Sequence, residues 1–213
     1  MKIYDFEFEK KLIKKGSILA IDEAGRGALA GPLFVCGVFL KKIPKIDFWV
    51  KDSKLLSQIQ REKIFKKLRK IFKYRVEKIS PQKIDKIGIV KSEELAIKKL
   101  VNFFKPNYVL IDGKAFSSFK NKKKFIFIVK GDRKIFSLAS ASVICKFKRD
   151  LFMQKISKEY PYWNLEKNKG YGTKEHLKKI KKFGLCKIHR VTFIPPLLLK
   201  YLSKKNSVLS KTL

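Results

Sequence analysis

Of the 18 acidic residues in this 213-residue chain, four stand at or close behind short apolar runs. Asp22 and Glu23 follow Ser17-Ile-Leu-Ala-Ile21, and Asp112 follows Tyr108-Val-Leu-Ile111. Asp132 comes after Phe125-Ile-Phe-Ile-Val129, with Lys130 and Gly131 between. Runs this short and this apolar read as buried strands. A carboxylate at the end of a buried strand is costly to desolvate unless something positive meets it. Lysine could meet each acid singly, which is the ordinary structural reading, but four acids at three strand ends strain it. Clustered, they would carry about −4, a charge that two divalent cations neutralise, and an all-oxygen ligand set suits magnesium or manganese rather than zinc. Two such ions close together serve the hydrolysis of a phosphodiester by water.

A second constellation adjoins the first, Asp22-Glu-Ala-Gly-Arg-Gly27. Glycines on both sides of Arg26 let the backbone approach a ligand and leave N–H groups free to donate. A Gly-x-Gly turn alone is an ordinary loop more often than a phosphate or sugar cradle; its adjacency to the acid pair raises its interest. The chain has two histidines, His176 and His189. They leave the role of general base unfilled, which is no obstacle where a metal lowers the pKa of the attacking water.

The elements that must position these residues are legible. Ser17–Ile21 and Pro32–Leu40 read as paired strands. Residues 58–72 carry Ile59, Ile64, Leu68, Ile71 and Phe72 at helical spacing. Residues 74–79 form a further strand, and Ser80-Pro81 starts a short helix that ends at Gly88. An amphipathic helix follows over 91–104, then strands at 108–111 and 125–129. The longest helical candidate covers 135–160. Gly170-Tyr171-Gly172 is a turn, Thr173 caps a helix that stops at Gly184, and a short last helix with a frayed end is expected after Pro195-Pro196. The class is α/β with a partly antiparallel sheet. No internal repeat is visible.

Composition sets outer bounds. The 52 Lys and Arg against 18 acids give a net charge of +34. A polyanionic partner would explain it, but only seven of the 52 are arginines. Nucleic-acid surfaces favour Arg for its forked, bidentate contacts, so part of the excess is background lysine. Hydrophobic content of 45% with 18 Phe is ample for a core. Three scattered cysteines (Cys36, Cys145, Cys186) do not make a disulfide framework or a zinc cluster. Residues 1–15 are charged throughout, without the apolar core of a secretory leader. The longest apolar stretch, Ala28–Leu40, is broken by Gly31, Pro32 and Gly37 and is too short to span a bilayer. A cytoplasmic protein, not tied to a membrane and acting as a monomer, is expected.

Taken in order, the strings Ile21-Asp-Glu-Ala-Gly-Arg-Gly27, Ala30-Gly-Pro32, Lys51-Asp-Ser-Lys54, Ile111-Asp-Gly113 and Lys130-Gly-Asp132 resemble the motifs of the type 2 ribonuclease H family, specifically ribonuclease HII. The likeness continues through Ala141-Ser142-Val-Ile-Cys-Lys146, Arg149-Asp150, Lys169-Gly-Tyr-Gly-Thr173 and Ile188-His-Arg190. It covers roughly residues 17–193.

The resemblance implies an RNase H-like fold, with a central mixed five-stranded sheet flanked by helices and a helical C-terminal region. A catalytic domain over 1–193 would include that helical region from about 160, with a short helix and basic tail at 194–213. It implies an endoribonuclease that hydrolyses the RNA strand of RNA/DNA hybrids and incises 5′ of single ribonucleotides in duplex DNA, leaving a 3′-hydroxyl and a 5′-phosphate. Asp22, Glu23, Asp112 and Asp132 would hold two Mg2+ or Mn2+ ions, the same quartet that the strand ends select. Asp150 is the rival for the fourth place, with an ion pair to its neighbours Lys148 and Arg149 as its structural alternative. Gly25, Arg26, Gly27 and Tyr171 would sense the ribose 2′-hydroxyl. Lys51, Lys54 and Lys146 would contact flanking phosphates, Ser142 would do so too or serve as a small residue where helix meets sheet, and His189 and Arg190 read as structural or backbone-contacting. Arg26 favours HII, since a Gly-Thr-Gly loop would point to ribonuclease HIII. Leu55, where the family commonly has a second Lys, departs from the pattern. Two other readings compete: a non-enzymatic basic RNA-binding protein, which gives no reason for acids at three strand ends, and another nuclease of the same fold, which would need neither the glycine loop nor Tyr171.

Overall fold

The computed structural model describes residues 6–46, 48, 50, 56–113, 116–119, 122 and 124–209. Lys51, Lys54 and Leu55 lie outside the described residues, as does the expected frayed end beyond 209.

Five strands build the sheet: β1 (Ile18–Ala24), β2 (Leu33–Leu40), β3 (Lys73–Ile79), β4 (Tyr108–Asp112) and β5 (Phe125–Ile128), in the spatial order β3-β2-β1-β4-β5. The first three pair antiparallel, while β1 with β4 and β4 with β5 pair parallel. The sheet is therefore the mixed five-stranded one expected. Its centre, β1, is covered on both faces, so its apolar run continues without alternation.

Helices cover the two faces. Residues of even number in β1 point to one core, shared with α5 (Phe136–Ser157) and α2 (Gln58–Ile71); those of odd number point to a second, shared with α3 (Pro81–Ile87) and α4 (Ile89–Phe104). A third cluster, with Leu29, Met153, Trp163, Leu165 and Ile180, anchors the C-terminal helices α6 (Leu165–Asn168), α7 (Lys174–Phe183) and α8 (Pro196–Leu209). The starts follow their caps. Ser57 and Gln60 form a reciprocal capping box on α2, Ser80 with Pro81 opens α3, and Thr173 accepts from the His176 N–H on α7. Among the described residues no helix is long and apolar enough to cross a membrane.

The structure differs from the sequence expectation in four places. Strand β1 runs on to Ala24 rather than ending at Ile21, because β2 keeps pairing with it through Asp22↔Cys36, Glu23↔Val35 and Ala24↔Phe34 after β4 has stopped at Ile21↔Ile111. The first two acids thus lie within a strand, and Asp112 is the last residue of β4. The charged N-terminal segment holds a helix, α1 (Glu7–Ile13). Its Glu9 is fully buried and accepts a 2.9 Å hydrogen bond from the Ser137 N–H in the first turn of α5, a capping interaction made across 128 residues that local patterns cannot reveal. The helix expected over 135–160 ends at Ser157 and gives way to a 3-10 turn at Pro161–Trp163. The last helix, with 14 residues, is longer than expected.

Leu100 on α4 is fully buried against Gly37 of β2. Leu100→Ala should cost about 2–5 kcal/mol in urea unfolding, whereas Ile59→Ala on the exposed side of α2, where Ile59 is 69% accessible, should stay within about 0.5 kcal/mol.

Candidate active site

Strand alternation aims the acids. Asp22, with an even number, points toward α5, and its carboxylate is hydrogen-bonded to Ser142. Glu23 points to the other face, toward α4. The parallel register Ile21↔Ile111 sets Asp22 alongside Asp112 on the neighbouring strand. These three acids line one cleft of about 450 Å³, together with Gly25, Arg26 and Gly27, Ser142 and Lys146 from α5, Arg61 from α2, and Tyr171. Asp132 does not line it. It is buried in a 3-10 turn, Gly131–Arg133, and the turn reaches the site through the Gly131 N–H, which donates to Asp112 Oδ1 at 2.7 Å.

Burial dominates the electrostatics. It pushes the Asp22 carboxyl well above the usual carboxylate range; the charge of Glu23 adds to this, and hydrogen bonds from Ser142 and from the Glu23 N–H (2.8 Å) oppose it. Glu23 is raised by burial as well, with Arg26 working against the rise. An acid absent from the sequence expectation joins them. Glu93 of α4 is 3% exposed, and its carboxyl is pushed up to about 8, by burial first and then by Glu23. Arg26 Nε lies 3.3 Å from Glu93 Oε2. This is an ionic contact, and Oε2 has no hydrogen-bond partner among the described residues.

Two buried guanidinium groups hold the loop that follows the acids. Arg149 donates to the carbonyls of Pro32 and Ala30, each at 3.3 Å. Arg190 donates to those of Gly31 and Arg26, each at 2.9 Å. Both side chains are fully buried, where any carbonyl left without a donor would be costly. The two glycines beside Arg26 differ in need. Gly25 has φ +84°, and a Cβ there would stand 1.9 Å from Arg149 Nε; at Gly27 a Cβ would meet nothing within 4 Å. Gly25 is therefore required by the fold, whereas Gly27 leaves open room on the cleft.

The turn carrying Tyr171 is tied to the same loop. The Leu29 and Ala30 N–H groups donate to Gly170 O at 2.8 and 3.1 Å. The Tyr171 ring has Arg149 5.3 Å and Lys146 5.7 Å from its centroid. Behind it runs a chain of buried imidazoles. The Cys186 N–H donates to His189 Nδ1 at 2.9 Å, His189 Nε2 meets His176 Nε2 at 3.2 Å, and His176 Nδ1 meets Tyr171 O at 2.9 Å. One proton arrangement satisfies every link: His189 carries hydrogen on Nε2 and His176 on Nδ1, both rings neutral. Burial supports this, lowering His176 and pushing His189 down to about 4.

Asp150 pairs with Lys146 Nζ at 2.6 Å and Arg61 Nη1 at 3.1 Å. The neighbours expected as its partners go elsewhere: Arg149 to the loop carbonyls, and Lys148 toward the ring of Phe65. Glu93 left a signal that could have been read, since it sits on the stripe Glu93, Ala96, Ile97, Leu100 that α4 buries, where an acid is out of place. Arg61, brought from α2, left none.

The donor set fits hard divalent cations: oxygen atoms only, with burial making the negative charges of Asp22 and Glu23 unfavourable until a cation meets them. Among the described residues, no three His, Cys, Asp or Glu side chains enclose a ready-made metal cage. A magnesium ion held by a few carboxylates would keep waters and substrate phosphate as its remaining ligands. With chelator present, Asp22→Asn should raise the melting temperature by a few degrees, on the order of 1–2 kcal/mol, by removing an unfavourably buried charge. A thermal melt of the two proteins in EDTA checks this; an unchanged or lower midpoint would contradict the electrostatic account.

Known proteins share this sequence and this fold. The sequence profile of the ribonuclease HII family matches residues 19–195. A ribonuclease HII of Caldicellulosiruptor bescii is 40% identical over 198 residues, covering 91% of this chain and 95% of its own. That of Pelagibacter ubique is 42% identical over 181 residues, covering 84% and 96%. Among solved structures, ribonuclease H2 from Pyrococcus horikoshii OT3 superposes with a TM-score of 0.67 at 26% identity, over 88% of this chain and 98% of that one. Bst-RNase HIII in complex with Mn2+ shares the fold at a TM-score of 0.63 and 17% identity, over 88% and 69%. With the family profile and its relatives spanning nearly the whole chain, this protein is a member of the ribonuclease HII family and a ribonuclease H enzyme.

Proposed function

We propose that this ribonuclease H hydrolyses the RNA strand of RNA/DNA hybrids and incises on the 5′ side of a single ribonucleotide embedded in duplex DNA. The observation that carries the reading is the convergence of Asp22, Glu23 and Asp112 with the Gly25–Gly27 loop and Tyr171 around one cleft. This convergence supports a cation-binding centre beside a surface able to read a sugar.

Each residue has a part that its chemistry suits. Asp22, Glu23 and Asp112, with Asp132 as the fourth carboxylate, would hold two divalent ions, magnesium or manganese, whose chemistry when bound is to acidify the attacking water and to neutralise charge on the departing 3′-oxygen. The Gly131 N–H fixes the orientation of Asp112, and Ser142 does the same for Asp22. At Gly27 the cleft leaves space for a ribose, and backbone groups of the loop can donate to and accept from one 2′-hydroxyl, the group that separates RNA from DNA. Tyr171 offers a ring face to the sugar and a phenol as hydrogen-bond partner. Lys146, with Lys51, Lys54 and Ser142, would hold flanking phosphates. Water attacks the phosphorus in line, the P–O3′ bond on the 5′ side of the ribonucleotide breaks, and the products carry a 3′-hydroxyl and a 5′-phosphate.

A labelled DNA duplex containing one ribonucleotide tests this. Incision 5′ to it in magnesium, lost in EDTA and restored by added metal, is the expected result, and Asp22→Asn should reduce it to background while still binding the duplex. Cleavage of long hybrids only would instead indicate an HIII-like specificity. Full activity in Asp22→Asn would overturn the assignment of the acids.

A further inference from the structure

Glu93, like Asp150, lines no part of the cleft and yet contacts a residue that does, here Arg26 of the glycine loop. It projects from the buried stripe of α4. Its Oε2 is buried without a hydrogen-bond partner among the described residues and stands 3.3 Å from the Arg26 guanidinium. Arg26, about half exposed at 48%, has a backbone carbonyl held by Arg190. Its loop is rigid, but its long side chain would sample several rotamers, and the competing attraction of Glu23 on the adjoining strand would draw it inward. Glu93, buried on α4 on the side that Glu23 also faces, adds a second carboxylate that fixes which rotamer the guanidinium keeps.

We infer that Glu93 is a positioning residue that holds the Arg26 guanidinium at the mouth of the cleft, where it can engage the sugar–phosphate of the ribonucleotide. The inference rests on the reading of the Gly25–Gly27 loop as the ribose sensor. Pre-ordering a side chain strengthens binding without entering the chemical step. Loss of the tether therefore acts on KM.

Glu93→Gln keeps the shape of the side chain and removes a buried charge, so it leaves folding intact. On the single-ribonucleotide duplex it should raise KM about tenfold with kcat changed less than about twofold, and it should have no further effect in an Arg26→Ala background. An equal effect of Glu93→Gln with and without Arg26 overturns the inference, as does a lowered kcat at unchanged KM. A normal Glu93→Gln enzyme alongside an impaired Arg26→Ala enzyme overturns this inference alone. A normal Arg26→Ala enzyme overturns it together with the reading of the loop.

Discussion

The parallel pairing of β1 with β4 is the interaction on which the rest of the structure depends. Strand β1 already pairs antiparallel with β2, and the chain returns to its other edge only after β3, α3 and α4. The register Ile21↔Ile111 then places Asp22 and Asp112 side by side. Two negative groups brought together at a buried sheet centre repel, so apolar burial on both faces of β1 must hold them there. Ile18, Leu19 and Ala20 have no solvent exposure at all. The same pleat that buries them sends Asp22 to the α5 side and Glu23 to the α4 side, so one dipeptide faces two walls of the cleft.

Positive charge inside the protein is used for a different purpose. Arg149 and Arg190 do not neutralise these acids; they donate to four carbonyls of the segment running from Arg26 to Pro32. That segment has little regular structure of its own to satisfy those groups, and two planar, multi-donor side chains fix it from beneath. Tyr171 and the histidine chain brace it from the far side through Gly170. The Gly25–Gly27 loop is thus rigid at its backbone, while burial holds the Asp22 and Glu23 carboxyls above their ordinary range. The net charge of +34 plays no specific part in either. It supplies a general, salt-sensitive attraction to nucleic acid.

Much of the site was legible because its residues lie at strand ends and in a glycine turn, where short-range pattern and function coincide. Asp22, Glu23, Asp112, Gly25 and Tyr171 could all be singled out on those grounds or on the family likeness they carry. Asp132 was singled out by the same logic; it is buried in a 3-10 turn whose Gly131 N–H donates to Asp112. Glu93 was passed over because a helix with charges on most turns hides one acid on its buried face. The partners of Asp150 were misjudged for a related reason. At mid-helix, adjacent residues point apart, and the positions that meet Asp150 are Lys146, four residues before it, and Arg61 on another helix.

By itself the sequence determined the class of fold and the order of its strands and main helices, and it singled out acids and a turn that the cleft brings together, since each depends on periodicity, capping or a local motif. Tertiary structure decided where β1 ends, which wall each acid faces and what braces the loop. It also brought Glu9 to the start of α5, Arg61 to Asp150 and Glu93 to Arg26. Those contacts join residues far apart in the chain, and no local preference encodes them; they exist only once the sheet has closed and its two faces have been covered.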